Sequence, residues 1–131
     1  CSIPEVDAMC HNYPEIARGM MGWHPCSVNE NYLHDLDIIG KKLYSNTYIG
    51  VGEVGLDLYW DKTNFEIQKQ AFITQINWAK ELNLPLSIHT REATTEALQI
   101  IETLQDGNIM GVFHCFGGSV EEARRVSDLG M

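Results

Sequence analysis

A β-branched, apolar run followed by a capped amphipathic stretch recurs four times along this chain, and nothing else in the sequence restricts its fold as much. Residues 16–23 read as a first strand. Ser27-Val28-Asn29-Glu30 then has the pattern of a capping box, and Leu33, Leu36, Ile39 and Leu43 follow at helical spacing. Residues 47–51 form a second β-branched run, and Thr63-Asn64-Phe65-Glu66 opens a long helix. The inward face of that helix carries Phe65, Phe72, Ile76, Ala79 and Leu82, and Pro85 prevents it from continuing. Residues 86–89 give a third strand, and a helix from about 92 to 104 stops near Gly107. A fourth strand spans 109–114. Ser119-Val120-Glu121-Glu122 caps a last helix with Val120, Ala123, Val126 and Leu129 on one face.

Strands alternating with helices specify a parallel sheet with helical cover. Each unit takes roughly 30 residues, and eight such units close a barrel of about 250 residues. The expected fold class is therefore α/β, of the (β/α)8 TIM-barrel type, with residues 1–131 a single domain segment of about four units. The chain opens at Cys1 and stops at Met131, where a helix gives way to the start of a strand, which reads as an interior segment of a longer chain.

Hydrophobic residues make up 44% and charged residues 21%, the balance of a globular domain rather than of a disordered tail or a disulfide miniprotein. No run approaches the roughly 18 apolar residues of a membrane span. The net charge of −9 argues against gripping nucleic acid by bulk charge, but leaves room for local grip on one phosphodiester. Four cysteines, Cys1, Cys10, Cys26 and Cys115, form no C-x-x-C pair and read as reduced thiols of a cytosolic protein. The pairs Cys10-His11 and His24-Cys26 match no common zinc spacing, so a structural zinc site is set aside.

The chemistry-bearing residues fall at equivalent places. His24, Glu53, His89 and His114 each stand at the expected carboxyl end of a strand, where parallel α/β folds gather functional groups. His11 and His34 fall on helices and read as solvated. Two imidazoles and a carboxylate suit Zn²⁺, Mn²⁺ or Fe²⁺, whereas Mg²⁺ prefers oxygen ligands. A carboxylate can bridge two ions, and Glu53 is the bridging candidate. Residues 50–55 also match G-x-G-x-x-G, but no helix opens after them, and Glu53 puts a negative charge where phosphates would sit. Arg91 reads either as a phosphate-holding guanidinium or as a surface ion pair, and Asp57 either as a partner to a ligand or as a turn acid. Tyr59 and Trp60 either stack a base or pack above the barrel mouth. Cys115 is not proposed as a nucleophile.

Taken together, Gly52-Glu53-Val54-Gly55-Leu56-Asp57, Ile88-His89-Thr90-Arg91, His114-Cys115-Phe116-Gly117-Gly118 and Gly22-Trp23-His24-Pro25 resemble the TatD-type deoxyribonucleases, as does the helix over 68–79. The resemblance implies a barrel hydrolase that cleaves DNA phosphodiesters through a metal-activated water, as a 3′-to-5′ exonuclease using one or two divalent ions (Zn, Mn or Mg). It implies Glu53, His89 and His114 as metal ligands, with Glu53 bridging. It places His24 and Arg91 beside the substrate phosphate, and so implies Glu53, Arg91 and His24 as the catalytic set. A DNA strand end is the implied partner, with no membrane. The family's H-x-H pair would lie before Cys1 and its last-strand Asp beyond Met131, so the isolated segment is expected to be inactive, with exposed, adhesive edge strands. Two alternatives remain: an amidohydrolase-like enzyme on a lactone, amide or amine, and an incomplete barrel serving as a binding module. The second requires that Glu53, His89 and His114 do not converge, or that no metal enters.

Overall fold

A computed structural model describes residues 3–45 and 48–131. Helix α1 (Ile3–Asn12) is followed by a 3-10 turn (Pro25–Ser27), α2 (Tyr32–Ser45), β1 (Val51–Asp57), α3 (Phe65–Leu82), β2 (Leu86–Arg91), α4 (Thr94–Leu104), β3 (Gly111–His114) and α5 (Val120–Asp128). The strands form one parallel sheet in the order β1-β2-β3. The expected α/β class and parallel sheet are therefore present.

The core lies between the sheet and its helices. Val51, Val54, Leu56, Leu86 and Ile88 from the strands meet Phe72, Ile76 and Ala79 of α3 and Ala97 and Ile101 of α4, all buried. The α3 residues recur at i, i+4 and i+7, one face of a helix. The helix ends where Asn83 takes a left-handed φ of 53°, closing its last turn two residues before Pro85. On α2, Leu36, Ile39 and Leu43 are buried, but Leu33 faces outward. Gly40 lets α2 approach the Trp78 ring, since a Cβ there would stand 3.0 Å from it.

Several sequence expectations shift. The first predicted strand shrinks to a single bridge, Met21 to Val51. Backbone bonds from Ile49 to Gly19, from Met21 to Gly50 and from Gly52 to Met21 still lay this segment along β1. Gly19 and Gly22 give it little strand propensity, and Ile16, the first residue of that predicted strand, is 84% exposed. The second strand starts at Val51; of its predicted span, Thr47 lies outside the described residues, as does Cys1. Consequently Glu53 is the third residue of a seven-residue strand and His89 the fourth of six, rather than strand ends. His24 caps the 3-10 turn instead of closing a strand. That turn consumes Ser27, so α2 begins four residues later than its capping-box pattern suggests. Asn64 caps α3 without a side-chain bond, because Asp61 holds both the Thr63 amide and its hydroxyl. The Ser119–Glu122 capping box forms in full. Among the described residues β3 pairs only with β2, and Val112 on it and Val120 on α5 stay largely exposed.

Gly55 sets the pairing of β1 with β2. It sits opposite His89 at a φ of 138°, and a Cβ there would collide with the His89 carbonyl oxygen. Gly117 has open space and no such φ. Gly55→Ala is therefore expected to lower stability by about 2 kcal/mol or more, and Gly117→Ala to leave it nearly unchanged. Urea-unfolding midpoints of the two variants check this.

Candidate metal centre

Glu53 is aimed by an irregularity in the sheet. Pairing runs from Gly52–Ser87 to Val54–Ile88, so Glu53 is an extra residue on β1 with no partner across the ladder. Such a bulge bends the strand and redirects a side chain. Gly52 makes the close approach possible, because a Cβ there would stand 2.7 Å from the Ser87 Cβ.

The redirected carboxylate meets both predicted imidazoles. Glu53 Oε1 lies 2.9 Å from His114 Nδ1 and 3.8 Å from His89 Nδ1. Donor atoms about 2.1 Å from a shared ion stand roughly 3 to 3.5 Å apart, a spacing that the Glu53–His114 pair already meets and the Glu53–His89 pair exceeds slightly. The nitrogen–oxygen donor set suits Zn²⁺ or Mn²⁺ better than Mg²⁺. His24 stands apart from this trio, with Nε2 4.0 Å from the other carboxylate oxygen, Oε2. Its ring lies 4.5 Å from that of His89. Burial, reinforced by the neighbouring His89, holds the His24 pKa below the usual imidazole range against the pull of Glu53 and Asp57.

A buried layer orients these groups. Asp57, 3% exposed, places Oδ2 2.8 Å from His89 Nε2. That bond turns the other ring nitrogen toward Glu53, the arrangement by which a carboxylate fixes a ligating histidine. Burial pushes the Asp57 carboxyl pKa up, but hydrogen bonds from His89, the Tyr59 amide and Cys26 outweigh it and leave it below the usual range. Two buried glutamines of α3, seven residues apart, then clamp the backbone. Gln68 accepts from the Asp57 amide (2.9 Å) and donates to its carbonyl (3.0 Å). Gln75 does the same for Trp23, at 2.6 and 3.3 Å, one residue before His24.

The remaining candidates sit around the rim. The Arg91 guanidinium stacks 3.5 Å above the Tyr59 ring and 5.6 Å from that of Trp60, so Tyr59 is engaged while Trp60 is 74% exposed. A cavity of about 320 Å³ lies between His89, Arg91, Thr94, His114 and Cys115. Glu92 and Cys115, each directly after a site strand, adopt left-handed φ of 52° and 49°. Cys115 Sγ lies 3.6 Å from His114 Nε2. His11 and His34 are exposed on α1 and α2. The sequence did not reveal the glutamine clamps or the closeness of His89 to the His24–Cys26 pair, a pair set aside on spacing. Polar glutamines at i and i+7 on an otherwise apolar helix face were the available signal for the clamps.

A family model described as TatD related DNase matches residues 2–131. The uncharacterized metal-dependent hydrolase YabD of Bacillus subtilis is 40% identical over 104 residues, covering 79% of this chain and 41% of the relative. The deoxyribonuclease Tat-D of Schizosaccharomyces pombe is 32% identical over 134 residues, covering 92% and 42%. The solved structure of the TatD homologue YjjV from Escherichia coli superposes with a TM-score of 0.88 at 28% identity, over 98% of this chain and 49% of that one. The chain thus spans less than half the length of these relatives.

Gln68→Leu strands the buried Asp57 amide and carbonyl, so it is expected to cost about 1–3 kcal/mol. Gln70→Leu, on the exposed face of the same helix, is expected to be near neutral. Denaturant melts of both variants distinguish the clamp from a general effect of losing a glutamine.

Proposed function

This chain belongs to the TatD-related DNase family of metal-dependent hydrolases, and from that premise we propose that it forms part of a barrel enzyme that hydrolyses DNA phosphodiesters from a strand end, in the 3′-to-5′ direction. One observation carries the proposal: Glu53 Oε1 stands 2.9 Å from His114 Nδ1 and 3.8 Å from His89 Nδ1, which brings a carboxylate to two imidazoles from three different strands. A barrel kept only as a binding module has no need of that convergence.

Glu53, His89 and His114 would hold a divalent ion, zinc or manganese by donor type, with Glu53 free to share a second. When bound, such an ion polarises a phosphoryl oxygen and lowers the pKa of water. The chain's own residues do the rest. Asp57 keeps the His89 ring in register through Nε2. Arg91, at the rim of the cavity that His89 and His114 line, offers a guanidinium fork to a phosphate oxygen. His24 faces the opposite oxygen of Glu53, its pKa held below the usual imidazole range by burial, and offers Nε2 as a hydrogen-bond partner to the phosphate. Trp60 presents an open face on which a terminal base can stack. An acidic chain that binds through these few groups is suited to strand ends rather than to long duplex.

We further propose that residues 1–131 act as one wall of the complete barrel and are inactive alone. The test therefore uses a full-length protein carrying this segment, with 5′-labelled single-stranded DNA and Mn²⁺ or Zn²⁺. The expected result is stepwise shortening from the 3′ end that stops on chelation. Glu53→Gln is expected to reduce the rate about a thousandfold, and Arg91→Ala roughly 10- to 100-fold. DNA left intact by metal-loaded protein, or equal activity in Glu53→Gln, contradicts the proposal.

A further inference from the structure

The proposed reaction gives no metal-binding role to one thiol beside the centre, that of Cys26, which burial pushes up to a pKa of about 11 and which donates to the Asp57 carboxylate. Ligand atoms of His24, Cys26 and His89 all lie within 4.8 Å of one another. Two of these residues are fixed by the same 3-10 turn, in which the His24 ring accepts the Cys26 amide at 3.2 Å across Pro25. The thiol also opens on a separate cavity of about 190 Å³ between Pro25, Asp57, Trp60 and Asn64. An ion therefore has a path to it that does not pass through the cavity beside His114.

We propose that His24, Cys26 and His89 form a second cation site, one for thiophilic ions such as Zn²⁺ and Cd²⁺, that competes with the Glu53 centre for the His89 ring. Zinc bonds of about 2.3 Å to sulfur and 2.0–2.1 Å to nitrogen require ligand atoms roughly 3.5 Å apart, a contraction of at most about 1.3 Å within reach of side-chain rotation on a surface turn. Thiolate selects soft ions, so Mg²⁺ and Mn²⁺ gain nothing from Cys26. On binding, the S–H bond breaks, a sulfur–metal bond forms and the proton leaves to solvent. His89 cannot serve this site freely. Its Nε2 is committed to Asp57 and its Nδ1 faces Glu53, so an ion that takes either nitrogen removes the ring from one of them. The existence of the site rests only on the His24–Cys26–His89 geometry; the competition also rests on the reading of Glu53 as a metal ligand.

The test titrates a full-length protein carrying this segment, with every cysteine but Cys26 replaced by Ser, with Cd²⁺ and follows the ultraviolet thiolate-to-cadmium charge-transfer band. The expected result is a band saturating at one ion per chain, absent after the further change Cys26→Ser, with the apparent affinity weakened about tenfold or more by His24→Ala. A folded Cys26-only protein that gives no band, or a band indifferent to His24→Ala, overturns the site. Manganese binding, read by electron paramagnetic resonance, separates the two readings. Cadmium at one equivalent is expected to release bound Mn²⁺ from the Cys26-only protein but not from its Cys26→Ser derivative; equal release from both overturns the competition. Glu53→Gln is expected to lose Mn²⁺ and keep the cadmium band. Manganese binding that survives Glu53→Gln refutes the Glu53 centre while leaving the thiolate site standing.

Discussion

The arrangement turns on a single carboxylate set between two imidazoles. Glu53 reaches His89 and His114 only because β1 carries one residue more than β2 opposite it, and because glycines on either side let the strands close over that bulge. Regular pairing would turn alternate side chains to opposite faces of the sheet. The bulge breaks that alternation at the one position where an acid is useful. Parallel register then supplies the partners, since Gly55, His89 and His114 lie level across the three strands.

Support for this point comes from outside the sheet. Helix α3 packs its apolar face on β1 and, from the same face, sends Gln68 and Gln75 to the backbone at Asp57 and Trp23. Each amide satisfies one donor and one acceptor, which makes a buried polar side chain tolerable in an otherwise apolar layer. The clamp fixes Asp57, Asp57 fixes the His89 ring, and the ring faces Glu53. Loss of α3 packing would therefore be felt at the centre without any change in the groups that meet there.

Much of this was legible in the sequence. The β–α alternation, the α3 face of Phe72, Ile76 and Ala79, and the Ser119 capping box depend on local periodicity and hydrogen bonding, which a sequence displays directly. The family follows from motifs that span most of the chain, and the matched relatives bear it out. What was not legible depends on contacts distant in sequence. The bulge at Glu53 is a mismatch between two strands whose paired residues lie 34 to 35 apart in sequence, and it has no local mark. The first predicted strand failed because its glycines serve close approach, Gly22 to β1 and Gly19 to α1, rather than strand propensity. Cys26 was discounted on spacing, since its neighbour His89 comes from a strand distant in sequence and no short motif records that meeting. Asp57, left open between ligand partner and turn acid, does both, holding His89 by its side chain and the Tyr59 amide across the turn.

The most direct measurement of the central claim is X-ray absorption at the metal edge of the zinc- or manganese-loaded protein. Ligation by Glu53, His89 and His114 predicts an inner shell containing two imidazole nitrogens at about 2.0–2.2 Å, with the outer-shell scattering of the rings. An inner shell made wholly of oxygen would contradict it.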